Sequence, residues 1–199
     1  DTRTGEILEG GGNGFLHCFS DIGSAFGYAP QKIAVEFPTS AMLCEVRLFS
    51  TGTIPDYVQQ WEQPLEGDAD IVLFSTHGDD EQLYFAGLLP HYAGELGLNV
   101  QVVYMTSHAD ICGSVRMHEM LNGLWAVGVR AYPVFGPFPD FKLPDREETY
   151  WEYERLGYSR ERLLGYVVEN LRRFRPLVAV GHDLNGEYGH GMHKVYSDL

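Results

Sequence analysis

Cysteine is scarce in this chain and poorly placed for metal or redox chemistry. Cys18, Cys44 and Cys112 are the only three, and they form neither a CxxC pair nor a zinc-ribbon spacing. Cys18 and Cys44 either pair in an oxidising compartment or stay reduced, and the odd count leaves one thiol over. Basic residues are also few: 14 Lys and Arg face 28 Asp and Glu, for a net charge of -14. Such a chain repels phosphate backbones and anionic membranes, so no nucleic-acid partner is expected. No apolar run reaches the 18 or so residues of a membrane span, so no transmembrane segment is expected either. Internal repeats are absent. What remains is an ordinary globular composition, 44% hydrophobic and 21% charged over 199 residues. That length fits one or two domains and buries about 70% of the unfolded surface.

The first third and the rest of the chain read differently. Gly10–Gly14 is a glycine-rich loop. Lys32–Phe37, ended by Pro38, and Leu43–Phe49 read as strands, with turn signals at Thr51-Gly52 and Pro55-Asp56. Residues 1–66 are therefore expected to form a β-rich segment. Tyr57, Val58 and Trp61 in it fit either a small core or a carbohydrate-stacking surface, and core is the expectation. From Asp70 onward strand and helix alternate. Strands are expected at 71–74, 100–106, 131–135 and 177–180, the last a buried one. Helices are expected at 81–96 (interrupted by Pro90), 114–127 and 160–174. Residues 137–153 read as a long loop rich in Pro, acids and aromatics. The expectation is an α/β, Rossmann-like fold, with a mainly parallel sheet flanked by helices.

Chemistry-bearing residues collect after two of those strands. Ile71–Phe74 is continuously apolar and runs into Thr76-His77-Gly78-Asp79-Asp80-Glu81. A histidine and carboxylates thus stand at a strand's carboxyl end, where open α/β sheets place their ligands. His77 and Asp80 are suited to share one divalent metal, leaving Asp79 free to move protons. The other reading is a polar turn with a chance histidine. The last strand runs into Gly181-His182, then Gly189-His190-Gly191-Met192-His193. His190 and His193 share a face if a helix starts there. A catalytic zinc takes three N or O ligands and keeps one position open, and His77, Asp80 and His193 supply such a set. Surface histidines in a Gly-rich loop are the alternative.

Three blocks resemble the LmbE/PIG-L family of zinc-dependent de-N-acetylases. They are Thr76–Glu81, like the family's AHPDDE; Arg116-Met117-His118-Glu119 with Val127-Gly128-Val129, like its R-x-x-E helix ending in LGV; and Gly189–His193, like its GH-x-x-H. The resemblance covers about residues 70–199. It implies His77, Asp80 and His193 as metal ligands, Asp79 as general base and His190 as the residue stabilising the oxyanion. It further implies Arg116 and Asp140 as substrate contacts. Gly78 replaces the family's proline. Gly191-Met192 replaces Pro-Asp, removing an aspartate that would orient His190; Asp183 or Glu187 is expected in that role. The chain stops soon after His193, so residues 67–199 are expected to form a deacetylase domain incomplete at its C-terminus. Residues 1–66 would be an accessory or preceding segment.

The expected activity is metal-dependent amide hydrolysis, releasing acetate from an N-acetylglucosamine-type sugar. Zinc is the expected cofactor, with Fe2+ as another candidate metal. The alternatives are a zinc esterase or phosphoesterase and a non-catalytic sugar-binding protein. The chain lacks the HxHxDH of metallo-β-lactamase-type sites, having only His77 in that block. The start at Asp1 points to upstream residues removed or omitted. With the acidic composition and a β-rich leading segment, it favours an extracellular or cell-envelope location over the cytoplasm.

Overall fold

In the computed structural model, residues 1–8, 15–37, 39–40, 43–50, 52–106 and 114–199 are described. They form two compact units, Asp1–Gln60 and Trp61–Leu199. The first holds one short helix, α1 (Ile22–Phe26), started by Asp21 accepting from Ser24 N and ended by Gly27 in the left-handed region. The β-rich segment expected there is not seen among the described residues. Residues 32–37 and 43–49 run as irregular chain. A strand needs a neighbour to satisfy its backbone; among the described residues neither segment joins a β-ladder, and Val35, Val46 and Leu48 stay exposed. Cys18 and Cys44 are exposed thiols. Cys112 and the Gly10–Gly14 loop lie outside the described residues.

The second unit is built on four parallel strands in the order β3-β2-β1-β4: β1 (Ile71–Ser75), β2 (Val100–Thr106), β3 (Val134–Phe138) and β4 (Val178–Val180). The strong apolar runs of β1 and β2 put them at the centre, with β2 wholly buried. β3 lies three residues later than the sequence suggests, taking in Gly136 and Pro137. It is an edge strand, the position where a proline's missing N–H is tolerated. Ala131 instead makes an isolated bridge with Glu62. β4 is the other edge and is not buried: Val178 is 52% exposed. Trp61 packs edge-on against Trp125 and Tyr132, as a core residue; Tyr57 is exposed.

Helices follow each strand. The expected 81–96 helix is split into α2 (Asp80–Leu83) and a π-helical turn, Pro90–Glu95, because Pro90 cannot continue the earlier hydrogen-bond ladder. α3 (Ser114–Ala126) buries Met120, Leu121 and Leu124. It ends at Gly128, whose φ of 95° and contact with Gly94 leave no room for a side chain. The expected 137–153 loop contains α4 (Arg146–Arg155), capped by Asp145 accepting from Glu147 N and Glu148 N. Few of its residues are apolar, so its periodicity is faint. α5 (Arg160–Phe174) buries Leu163 and Phe174, while Leu164 points outward. α6 (Gly191–Asp198) closes the described chain. Met105, Phe138, Tyr150, Tyr153, Leu163, Met192 and Val195 form one core that binds α4, α5 and α6 to the sheet.

Candidate functional site

The strand order places β2 and β3 on one side of β1 and β4 on the other. The chain therefore reverses direction across the sheet between β1 and β4. In such sheets the crevice at that switch point, at the strands' carboxyl ends, receives ligands. His77 follows β1, His182 follows β4 and Asp140 follows β3; His193 arrives on α6.

The backbone around His77 is held firmly. Thr76 O accepts from Thr106 N at 3.2 Å and Thr106 Oγ1 at 2.9 Å, and Ser75 Oγ donates to His77 O at 2.8 Å. His77 N donates to Asp80 Oδ2 at 2.8 Å, folding the turn so that both side chains face one point. There, His77 Nδ1 stands 3.1 Å from His193 Nε2, and each of these nitrogens lies 3.3 Å from Asp80 Oδ2. His182 Nε2 lies 3.1 Å from the same oxygen.

The far nitrogens of these rings fix their tautomers. His77 Nε2 donates to Asp140 Oδ1 at 3.1 Å. His182 Nδ1 donates to Glu187 Oε2 at 2.5 Å, and His193 Nδ1 faces that oxygen and the Glu187 carbonyl at 3.3 Å each. Each imidazole thus presents a lone pair to the centre, where a carboxylate oxygen also sits. Three lone pairs around one anionic oxygen repel unless a cation lies among them. Donors on a tetrahedral zinc, with bonds of about 2.0–2.1 Å, lie roughly 3.3–3.4 Å apart. The His77–Asp80–His193 triangle fits that spacing, and the carboxylates behind the histidines are the usual outer support of a metal centre. Among the described residues, His77, His190 and His193 form one group able to hold a metal ion, and Asp80, His182 and His193 another.

The carboxylates and the burial of the cluster shift its titration. Burial pushes His77 toward its neutral form, but hydrogen bonds to Asp140 and Asp80 outweigh it and raise the imidazole to about 9. Asp80 is held far below the usual carboxylate range: burial opposes this, and His182, His193 and His77 prevail. Burial, together with Asp80 and Asp79, raises Glu81 to about 7. His190 is pushed down to about 4, first by burial and then by His77 and His193. Its ring stands 4.7 Å from that of His77 and 4.9 Å from that of His193, and its Nδ1 is buried without a hydrogen-bond partner.

The structure therefore brings His77, Asp80, His190 and His193 together, with Asp140 behind His77. Asp79 precedes α2 and is half-buried; its side chain makes no capping bond. Arg116 lies on α3, paired with Glu119 at 3.4 Å. Glu187 supports His182 and His193 rather than His190. Sequence reasoning gives His182 no role, yet its side chain is only 1% exposed. Its place directly after a strand, as with His77, was the available signal.

Two departures from the family pattern are matched by their surroundings. Gly191 N donates to Leu143 O at 2.7 Å, which a proline would forfeit. A Cβ at Gly191 would stand 2.5 Å from the Asp145 carbonyl oxygen. Met192 is fully buried in the core, its sulfur accepting from Phe141 N, where an aspartate would lack solvation.

Comparison with known proteins gives one family match: the sequence model of PIG-L, the GlcNAc-PI de-N-acetylases, matches residues 72–199. Among curated relatives, a 1D-myo-inositol 2-acetamido-2-deoxy-alpha-D-glucopyranoside deacetylase of Mycobacterium leprae is 28% identical over 148 residues, covering 62% of this chain and 46% of its own. The deacetylase of the same name from Mycobacterium tuberculosis is 28% identical over 142 residues, with the same shares. The chain thus spans about half the length of the curated relatives it matches.

Proposed function

Since the chain belongs to the PIG-L family of GlcNAc-PI de-N-acetylases, we propose that it hydrolyses the acetamide of an N-acetylglucosamine-type sugar, releasing acetate and a free amine. The observation that carries this reading is the convergence of His77 Nδ1, His193 Nε2 and Asp80 Oδ2 at 3.1–3.3 Å. These three residues would hold a divalent metal, zinc by the N and O donor set. When bound, it would polarise the amide carbonyl and make water acidic enough to attack near neutral pH.

The chain's own residues supply the rest. Asp140 and Glu187 keep the histidine rings in the tautomers that present lone pairs to the centre. Asp79, next to Asp80 in sequence but free of a capping bond, takes the proton of the attacking water and returns it to the leaving nitrogen. His190, neutral at physiological pH, turns an N–H to the oxygen on which charge develops. Arg116 reaches the sugar. Its exposed pairing with Glu119 is of a kind worth about 0–1 kcal/mol, so the guanidinium exchanges partners readily.

Acetate release tests the proposal. Metal-stripped protein incubated with N-acetylglucosamine or N,N′-diacetylchitobiose should release none, and added Zn2+ should start release. Absence of acetate after reconstitution with Zn2+ or Fe2+ would remove the deacetylase reading. Cleavage of an aryl ester or phosphoester instead would point to the other hydrolases.

A further inference from the structure

A second feature adjoins the histidine cluster and, apart from Asp140, takes no part in the chemistry above. A cleft of about 660 Å³ runs between the segment after β3 and the outer face of α4, lined in part by Asp140, Lys142, Glu148, Trp151 and Glu152. That size suits a small-molecule site. Asp140 forms one end, and its Oδ1 is 3.1 Å from His77 Nε2, so an occupant of the cleft lies one side chain away from the cluster.

The lining has an unusual composition. Trp151 is 64% exposed on a helix that is otherwise mostly polar on its outer side. Glu148 and Glu152 are three residues before and one after it, and residues three and four apart share a helix face. Glu152 is clamped by Arg155, with contacts of 2.8 and 2.5 Å, so its carboxylate is fixed in place. An indole face beside carboxylates suits a ring with apolar C–H faces and hydroxyl edges. The hydroxyls donate to the carboxylates while the ring lies on the indole. Glu152 is already paired with Arg155 and Asp140 with His77, which leaves Glu148 and Lys142 to balance one another; the lining thus holds no surplus positive charge to bind an anion, in a protein of net charge -14.

Resting on the deacetylase reading, we propose that this cleft is the subsite for the part of the substrate beyond the N-acetylated sugar, and that it takes an uncharged polyhydroxylated ring stacked on Trp151 rather than a phosphate-bearing group. Binding energy gained there is available to speed the reaction at the acetamide, since remote contacts can be spent at the reacting centre.

The test uses the metal-loaded full chain and three probes: N-acetylglucosamine, N,N′-diacetylchitobiose and N-acetylglucosamine 1-phosphate. In the wild type, kcat/KM should be about fivefold or more higher for the disaccharide than for the monosaccharide, the scale of one aromatic stacking contact. The phosphate should be the poorest of the three. Trp151→Ala should bring the disaccharide-to-monosaccharide ratio close to one, and Trp151→Phe should keep most of it. Glu148→Gln should improve the phosphate relative to the other two. A wild-type ratio near one, a ratio untouched by Trp151→Ala, or a preference for the phosphate overturns the subsite while leaving the deacetylase intact. If none of the three is hydrolysed, the deacetylase reading fails and calorimetric titration with diacetylchitobiose decides the subsite. Binding weakened by Trp151→Ala upholds it, and no binding overturns it.

Discussion

Glu187 holds two histidines from behind, and the consequence is measurable. Its Oε2 takes His182 Nδ1 at 2.5 Å and stands 3.3 Å from His193 Nδ1. Outer carboxylates of this kind set tautomer and basicity, and their loss typically costs about 10–100-fold in metal affinity. Glu187→Gln should therefore weaken zinc binding on that scale, as read by competition with a chromophoric chelator. Unchanged affinity would reduce Glu187 to a loop residue. Asp79→Asn should behave in the opposite way. Zinc content should stay near the wild-type level, while turnover falls about 100-fold or more, the usual contribution of a general base. Near-normal turnover would make Asp79 merely an acid favoured at a helix start. Arg116→Ala should raise KM for an N-acetylglucosaminide with zinc content unchanged. Should the variant instead melt far lower with KM unaltered, Arg116 would be a structural partner of Glu119.

At the scale of elements, the approach of α6 to the 139–149 segment is a close joint beside the site. Gly191 donates to Leu143 O at 2.7 Å, and a Cβ there would press on Thr149 Oγ1 as well as on the Asp145 and Leu143 carbonyls. Gly191→Ala should thus destabilise the protein by about 1–3 kcal/mol, the cost of an overpacked contact, seen as a lower Tm. An unchanged Tm would show that the joint gives way. The strands at the centre of the sheet were legible because burial on both faces writes a continuous apolar run, as in Ile71–Phe74 and Val100–Thr106. α4 was not, because a helix burying only Thr149, Tyr150 and Tyr153 leaves a weak periodic signal. The expected strands at 32–37 and 43–49 show the reverse error. Alternating apolar residues describe a strand's surface but do not supply its partner.

Across the whole molecule, the sequence marked where the site lies, because His77 and His182 directly follow strands and the strand order brings those ends together. His77, Asp80, His190 and His193 were readable from their motifs. The supports of the site were not. His182 meets Asp80, and Asp140 meets His77, across 102 and 63 residues of chain. No local pattern encodes such pairings. Among the described residues, no helix is long and apolar enough to cross a membrane. The acidic charge favours a divalent cation and an uncharged or cationic ligand over an anionic one.

The central claim is that His77, Asp80 and His193 hold one metal ion. Elemental analysis of purified wild-type protein and its His193→Ala variant, after zinc loading and removal of unbound metal, tests it most directly. One zinc per chain is expected in the wild type, with most of it lost in the variant. Full occupancy in His193→Ala, or a wild type that retains no metal, would contradict the account.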